Sequence, residues 1–138
     1  MYRRKGDYRR AIEDFNRALE LNPRNPVAFN NRGFAYALVG DDQRALQDLD
    51  SAIEISPTLP NAFGSRGFAP LLKGRYDRAQ TDFDAALRLN TRSAFALFGR
   101  GVAKRRQQDL AGGDADIDAA KRLQGDIAEE TASYGLRP

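Results

Sequence analysis

The sequence contains neither cysteine nor histidine in its 138 residues. Without histidine the chain lacks the commonest general base and the commonest metal ligand. A serine nucleophile activated by histidine is excluded in the same way, and so is a cysteine–histidine pair. Composition does not exclude a pair of catalytic carboxylates, but no two acidic residues stand apart from the rest. We therefore predict that the chain is not an enzyme and binds no metal and no cofactor.

Long apolar runs are absent as well. No stretch of about 18 apolar residues occurs, so no segment is expected to span a membrane. Residues 1–30 contain no apolar core of a signal peptide. These features favour a cytoplasmic location. The alternative is a periplasmic location, if the chain is a fragment of an exported protein.

Charge of one sign is in small excess. The chain has 22 Lys and Arg residues against 19 Asp and Glu residues, a net charge of +3, and the two signs are interleaved through most of the sequence. No nucleic-acid partner is expected from so small an excess. The alternative is an RNA- or polyanion-associated protein that uses arginine-rich patches near its two ends: Arg3, Arg4, Arg9, Arg10, Arg105 and Arg106.

The strongest pattern is an internal repeat with one fixed period. Residues 6–23, 40–57 and 74–90 align without gaps, and a second element recurs at the same spacing in residues 29–35, 63–69 and 97–103. Apolar residues spaced three to four positions apart within these segments predict amphipathic helices. Each unit is therefore predicted to be a pair of helices.

Glycines and prolines recur at fixed places in the units. A glycine that accepts positive φ precedes the second helix: Gly6, Gly40 and Gly74. An aspartate follows as the predicted N-cap: Asp7 and Asp41. A proline closes the second helix: Pro23 and Pro57. Further glycines fall in mid-helix, where each costs about 1 kcal/mol relative to alanine: Gly33, Gly67 and Gly101. Their recurrence predicts close approach of the paired helices, with small partners opposite: Ala11, Ala45 and Ala79.

This pattern resembles the tetratricopeptide repeat, a helix–turn–helix unit of about 34 residues. The residues of one unit that match the family are Phe29, Gly33, Tyr36, Ala45, Leu49, Ala52 and Pro57. The next unit matches at Phe63, Gly67, Ala79, Phe83 and Ala86. The resemblance covers about residues 2–124, and the Asn-Arg-Gly sequence is similar to a variant common in bacterial members. It implies an all-α, right-handed α-solenoid of antiparallel helix pairs that acts as a scaffold or adaptor for a protein or peptide partner.

We predict a single helical-repeat domain over residues 1–138. It consists of a partial first repeat (2–25), two full repeats (26–59 and 60–93), a degenerate capping repeat (94–125) and a C-terminal capping helix (126–138). Asp126 and Glu129 have the spacing of a capping box for a last helix from Ile127 to about Tyr134. Pro70 lies in mid-helix, which predicts a kink or an early end of that helix.

The first unit is incomplete, because residues 2–5 are all that represents its first helix. The second helix of that unit, predicted from about Asp7 to Leu21, therefore lacks its partner. One interpretation is that the chain is a fragment or has a mis-set start. The other is that the apolar face of this helix meets a second copy and forms a homodimer.

Two sets of charged residues share the period of the repeat. The basic set is Arg32, Arg66 and Arg100, and the acidic set is Asp14, Asp48, Asp82 and Asp116. We predict that the two sets pair between helices, because each arginine then has an acid at matched spacing. The alternative is that the arginines bind acidic ligands.

The resemblance also implies where a partner binds. In this family the first helices of successive units line a concave groove, and the matching residues here are Asn30, Asn31, Phe34, Asn61, Ser65, Phe68, Phe95 and Phe98. Phe34 and Phe68 directly follow the mid-helix glycines, about 100° from the packed face. This predicts a half-exposed aromatic stripe beside amides that bind an extended backbone. The alternative is that the phenylalanines pack between helices and meet no ligand.

Overall fold

The structure is a computed structural model and describes residues 5–138. The expectations for residues 1–4, which include Arg3 and Arg4, lie outside the described residues. Residues 5–138 form helices and turns and contain no strand. The helices are α1 (Lys5–Leu21), α2 (Pro26–Leu38), α3 (Asp42–Ile55), α4 (Ala62–Leu72), α5 (Tyr76–Leu89), α6 (Ala94–Arg106), α7 (Leu110–Leu123) and α8 (Ile127–Ser133).

The helices stack as successive pairs. Helix α2 packs on α3, α4 on α5 and α6 on α7, and each pair also contacts the next one. Helix α4 contacts both α2 and α6, and the three helices form an inner layer; α8 packs against α6 and α7 at the end of the stack. This arrangement confirms the predicted all-α solenoid of helix pairs.

The apolar core runs between the two layers. Its largest fully buried side chains include three phenylalanines, one from each of α4, α5 and α6: Phe68, Phe83 and Phe98. Ile127 of α8 is also fully buried, so the last helix closes the end of this core. One cluster of buried residues extends from Phe68 of α4 to Leu136, and Phe34 and Leu38 of α2 pack against it.

The mid-helix glycines lie where paired helices approach most closely, as predicted. A Cβ atom placed on Gly33 would lie 3.1 Å from the Ala45 carbonyl oxygen, and one on Gly67 would lie 3.1 Å from that of Ala79. On Gly101 it would lie 2.8 Å from the Gly113 carbonyl oxygen. These distances leave little or no room for a side chain, which explains why glycine recurs at positions where it weakens a helix.

The turns follow the prediction in the full units. Gly40 and Gly74 have φ of 87° and 79°, and Gln108, at the equivalent place in the last unit, adopts φ of 74° without being glycine. The carboxylate of Asp41 accepts a hydrogen bond from the Arg44 backbone N–H at 3.2 Å and caps α3. In the left-handed region glycine avoids the steric cost that other residues bear.

The predicted N-cap Asp7 is wrong, whereas Asp126 is the N-cap residue of α8 as predicted but forms no capping box. Helix α1 begins at Lys5, so Gly6 lies within the helix and Asp7 lies in its first turn. Asp126 precedes α8, but its side chain makes no capping hydrogen bond. It instead accepts a hydrogen bond from the side-chain amide of Gln124 at 3.0 Å, which engages the carboxylate in the preceding turn.

The predicted early end at Pro70 is also wrong. Helix α4 contains Pro70 and continues to Leu72, which lies one repeat period after Leu38, the end of α2. Pro70 lies close enough to the end that its ring removes one hydrogen bond, to the carbonyl of Arg66. Its own carbonyl oxygen accepts hydrogen bonds from the backbone N–H of Lys73 at 3.1 Å and Arg75 at 2.8 Å, which closes the helix.

No helix in residues 5–138 has the length and apolar character needed to cross a membrane.

We predict that Gly101→Ala destabilises the protein although alanine is the better helix former. The added methyl group would lie 2.7 Å from Cγ1 of Ile117 and 2.8 Å from the Gly113 carbonyl oxygen, so the helices must separate. The free energy of unfolding should fall by about 1–2 kcal/mol after the gain in helix propensity is deducted. Urea unfolding followed by circular dichroism measures this change. The control is Gly125→Ala, which meets nothing within 4 Å; an equal loss in both variants would contradict the packing explanation.

Candidate partner-binding groove

A cavity of about 540 Å³ opens along the inner layer. Helix α2 contributes Asn30, Asn31 and Phe34 to its wall, and α6 contributes Phe95. Asn61 and Ser65 line it from the start of α4. Six of the eight predicted groove residues therefore line one cavity. We call this cavity the inner groove.

The two remaining predicted residues do not line the inner groove. Phe68 and Phe98 are 0% exposed, so the expected half-exposed stripe is wrong for Phe68. The ring of Phe68 lies 6.0 Å from that of Tyr134, in the residues that follow α8. Because the C-terminal segment folds back over the inner layer, Phe68 becomes part of the core.

Phe34 lies at the centre of an aromatic cluster. Its ring centroid lies 5.3 Å from that of Phe68, 6.0 Å from that of Phe95 and 5.2 Å from that of Tyr134. The contacts with Phe95 and Tyr134 are edge-to-face, a geometry that aromatic rings favour. The cluster gives the inner groove a rigid apolar floor, and Tyr134 shows that this floor accommodates an aromatic side chain.

The asparagines provide the polar part of the inner groove. The side-chain N–H of Asn30 donates to the side-chain oxygen of Asn31 at 3.4 Å. The side-chain oxygen of Asn30 is buried, and no group in residues 5–138 donates a hydrogen bond to it. A buried acceptor without a donor is unfavourable.

The C-terminal wall contains groups that the repeat pattern did not identify. Gln124, Glu130 and Tyr134 line the inner groove together with Tyr8, Ala11 and Phe15 of α1. The Gln124 side-chain N–H donates to the Glu130 carboxylate at 2.8 Å, which orients that carboxylate. Of the described residues that line the inner groove, Glu130 is the charged one, so a cationic group of a partner would be favoured beside it.

The predicted arginine and aspartate sets pair across the helices. Arg32 binds Asp48 through two hydrogen bonds of 2.7 Å. Arg100 binds Asp116 at 2.8 and 2.9 Å. The equivalent pair of the middle unit, Arg66 with Asp82, has a shortest distance of 2.8 Å. Two parallel hydrogen bonds to a carboxylate form the strongest geometry available to arginine.

Each of these arginines also reaches the preceding unit. Arg32 donates to the side-chain oxygen of Asn16 at 2.9 Å. The equivalent contacts one and two units later, Arg66 with Asp50 and Arg100 with Asp84, are both 3.1 Å long. The arginines therefore connect three successive helices and do not line the inner groove, which favours the structural interpretation over binding of acidic ligands.

The ion pairs shift the proton affinities of their members. Hydrogen bonds to Asp116 raise the pKa of Arg100 above its usual value, although partial burial opposes this. Burial alone would raise the pKa of Asp116, but hydrogen bonds and charge from Arg100 and Lys104 hold it below its usual value. Nζ of Lys104 lies 3.0 Å from the Asp116 carboxylate, so this carboxylate contacts two cations.

The arginines proposed for polyanion binding have different surroundings. Arg105 forms an ion pair with Asp114, and Arg106 donates to the carbonyl oxygen of Arg137 at 3.5 Å. Arg9 and Arg10 are exposed on α1. The structure thus places protein acceptors beside the arginines of the C-terminal patch.

Stacked helix pairs with a groove along their inner layer define an α-solenoid, a class of proteins that present extended binding surfaces. Comparison with family models specifies the class further. Residues 1–40 match a family described as TPR repeat, and residues 73–126 match one described as tetratricopeptide repeat. The chain belongs to the tetratricopeptide-repeat family, whose repeats support a general role as a protein-interaction scaffold.

Solved structures share this fold. A thermophilic TPR protein from Thermus thermophilus is 22% identical, with a TM-score of 0.80 over 94% of this chain and 76% of that one. MamA from Desulfovibrio magneticus is 19% identical, with a TM-score of 0.71 over 94% and 79%. A tetratricopeptide repeat protein from Parabacteroides merdae is 21% identical, with a TM-score of 0.69 over 94% and 54%. No curated protein matches the chain. Identities this low show the fold alone.

We predict that Arg66→Ala lowers the free energy of unfolding by about 2–3 kcal/mol, because it leaves the Asp82 carboxylate, 7% exposed, without its cation. The control is Arg44→Ala. Arg44 forms an ion pair with Asp41 on the surface, where such pairs contribute about 0–1 kcal/mol. Thermal and urea unfolding measure the loss in the free energy of unfolding for each of the two variants. Full stability of the Arg66→Ala protein would contradict the structural interpretation.

We predict that the stabilisation contributed by Asp116 depends on pH. Its folded-state pKa is depressed, so the stabilisation is complete above the unfolded-state pKa of about 3.9 and is lost as the pH falls through the folded-state pKa. Asp116→Asn should therefore be less stable than the native protein at pH 7, and the difference should shrink below about pH 4. Urea unfolding across this range measures it. A stability difference that stays constant from pH 7 to pH 3 would contradict the prediction.

Proposed function

We propose that this chain is a non-catalytic scaffold that binds an extended segment of another protein in the inner groove. The observation that carries the proposal is the convergence of six predicted residues from α2, α4 and α6 on one cavity of about 540 Å³. Pockets of this size, with an apolar floor and a few polar groups, are typical of ligand sites.

The chemistry of the wall indicates which segment would bind. The ring of Phe34, with Phe95 and Tyr134 beside it, offers aromatic contact surface. Asn30 and Asn31 place side-chain amides on the wall of the cavity, and amide contacts to a peptide backbone fix the register of an extended peptide. The Glu130 carboxylate, at the C-terminal end of the wall, favours a basic residue. A segment with alternating aromatic or aliphatic side chains and one lysine or arginine fits these groups best.

The alternative functions that the sequence suggests belong to other classes of protein. An RNA- or polyanion-associated protein would use the arginines at the two ends, among which Arg9 and Arg10 are exposed. Its binding would weaken steeply between low and moderate salt, because phosphate contacts release counterions. A structural homodimer through α1 would use a different surface from that of α4 and α6.

We predict that peptides selected from a random display library bind the protein through the inner groove. The double variant Asn30→Ala, Asn31→Ala should weaken these peptides at least about tenfold, or about 1.4 kcal/mol, because it removes their backbone hydrogen-bond partners. Isothermal titration calorimetry at two salt concentrations measures the affinities. The matched control is Gln43→Ala, Gln47→Ala, which changes two exposed amides on α3.

If the selected peptides bind both double variants with equal affinity, their binding site does not lie in the inner groove. Selection of ligands that bind the arginine-rich patches, with an affinity that falls steeply as the salt concentration rises, would favour the polyanion alternative instead.

A further inference from the structure

A second cavity, of about 140 Å³, opens between α3 and the turn that joins α4 to α5. Part of its lining is apolar and includes Ala45, Leu49 and Pro70. The other part is basic: Arg66, Lys73, Arg75 and Arg78. We call this cavity the basic pocket. It shares no lining residue with the inner groove, so it is a separate site.

Two of the four cations in the basic pocket are already paired. The guanidinium of Arg66 is bound by the two aspartates described above. Nζ of Lys73 lies 3.6 Å from a carboxylate oxygen of Asp42, which also lines the pocket. Arg75 and Arg78 are exposed, and neither forms an ion pair with any carboxylate in residues 5–138. The pocket therefore presents two guanidinium groups without a protein partner.

The preceding unit shows what satisfies an arginine at this place. Arg44 stands one period before Arg78. Its guanidinium lies 5.9 Å from the centre of the Tyr36 ring and 3.4 Å from the carboxylate of Asp41. Asp41 also caps α3, as Asp109 caps α7 in the last unit. An aromatic ring and a capping carboxylate are thus the two partners of Arg44.

The middle unit lacks both of these partners. Pro70 takes the place of Tyr36, so no aromatic ring covers the guanidinium of Arg78. Arg75 takes the place of Asp41, and its side chain forms no capping hydrogen bond with α5. A position that supplies a carboxylate in the units on either side therefore supplies a second cation here. Two cations three residues apart at the start of a helix repel each other, and an anion between them would relieve this repulsion.

We propose that the basic pocket binds an acidic segment of a partner protein, in which an aspartate or glutamate lies next to an aliphatic residue. Arg75 and Arg78 would bind the carboxylate, since a guanidinium group pairs with a carboxylate through two hydrogen bonds. The aliphatic side chain would enter the apolar part of the pocket. An apolar cavity of about 150 Å³ binds a molecule as large as benzene, so the volume of the basic pocket suits one such side chain.

A nucleic acid fits the basic pocket less well than an acidic protein segment. The carboxylates of Asp41, Asp42 and Asp77 lie on the same turns of α3 and α5 as the pocket residues, and they would repel a long chain of phosphates. Affinity for such a chain depends on many cations that release counterions together, whereas only Arg75 and Arg78 are unpaired here. A phosphate backbone would also leave the apolar part of the pocket empty.

The proposal goes beyond binding in the inner groove and does not depend on it. The scaffold would hold an extended segment in the inner groove and an acidic segment in the basic pocket. Because the two sites have no residue in common, each can be removed by substitution without the other.

The probe for the basic pocket is a synthetic peptide with the sequence serine-glutamate-leucine-glutamate-glycine, blocked at both ends. We expect it to shift the backbone amide signals of Gly74 and Arg78 in two-dimensional ¹H–¹⁵N NMR spectra, in a saturable manner. The amide signal of Asn31, in the inner groove, should not move. A peptide with glutamine in place of both glutamates should bind at least about tenfold more weakly, because it lacks the charge that the guanidinium groups recognise.

The variant Arg75→Asp separates binding from folding. It restores the capping residue of the units on either side, so the midpoint of thermal unfolding should not fall. The affinity for the peptide should nevertheless fall at least about tenfold, because a carboxylate then faces the carboxylate of the peptide. The matched control is Arg92→Asp, which makes the same charge change in an exposed turn outside the pocket and should leave the affinity nearly unchanged.

Four results would overturn the proposal. The first is no saturable shift of the Gly74 and Arg78 signals, and the second is an equal loss of affinity in the Arg75→Asp and Arg92→Asp proteins. The third is displacement of the peptide by a short oligothymidylate that binds more tightly, because the occupant would then be a nucleic acid. The fourth is a dimer of the native protein, seen by light scattering, that Arg75→Asp dissociates.

Failure at the basic pocket can be told apart from failure at the inner groove. Peptides selected for the inner groove should bind the Arg75→Asp protein with unchanged affinity. The acidic peptide should likewise bind the Asn30→Ala, Asn31→Ala protein as it binds the native protein, since neither asparagine lines the basic pocket.

Discussion

The structure depends on the close approach of two helices within each unit. A glycine on the first helix lies against the backbone of the second, with Cβ-equivalent distances near 3 Å at Gly33 and Gly67. This spacing allows the arginine that precedes each glycine to reach an aspartate on the facing helix with two hydrogen bonds. A larger residue at the glycine would separate the helices and lengthen those bonds. Helix packing and the charged contacts therefore depend on the same close approach of the two helices.

The charged contacts also determine how the units stack. Each arginine binds an acid in its own unit and a polar group in the unit before it, as Arg66 does with Asp82 and Asp50. Apolar burial supplies most of the stability of such a stack, but it specifies relative position only loosely. A planar guanidinium held by two carboxylates tolerates little displacement. We infer that these arginine–carboxylate contacts set the register between units, while the phenylalanines of the core supply the driving force.

The inner groove follows from this geometry. Residues of α2 and α4 that are not engaged in pairing, such as Asn31 and Ser65, face the open side of the inner layer. The C-terminal segment closes that side in part, since Tyr134 packs on Phe34. The wall of the inner groove therefore consists of residues from the repeats and residues from the C-terminal segment. Glu130, which lines the inner groove, lies outside the repeat pattern.

The sequence by itself determined the helix pairs, the glycine contacts, the arginine–aspartate pairs and six groove residues, because each of these follows from the pattern that recurs from unit to unit. Local signals at single places were less reliable: Pro70 does not end α4, and Asp7 does not cap α1. Only the tertiary structure decided that Phe68 is buried, that Glu130 and Tyr134 form a wall of the groove, and that Asp14 pairs with Arg17 of its own helix. These outcomes depend on contacts between residues as far apart as Phe34 and Tyr134, and the C-terminal segment has no counterpart in the other units from which its position could be inferred.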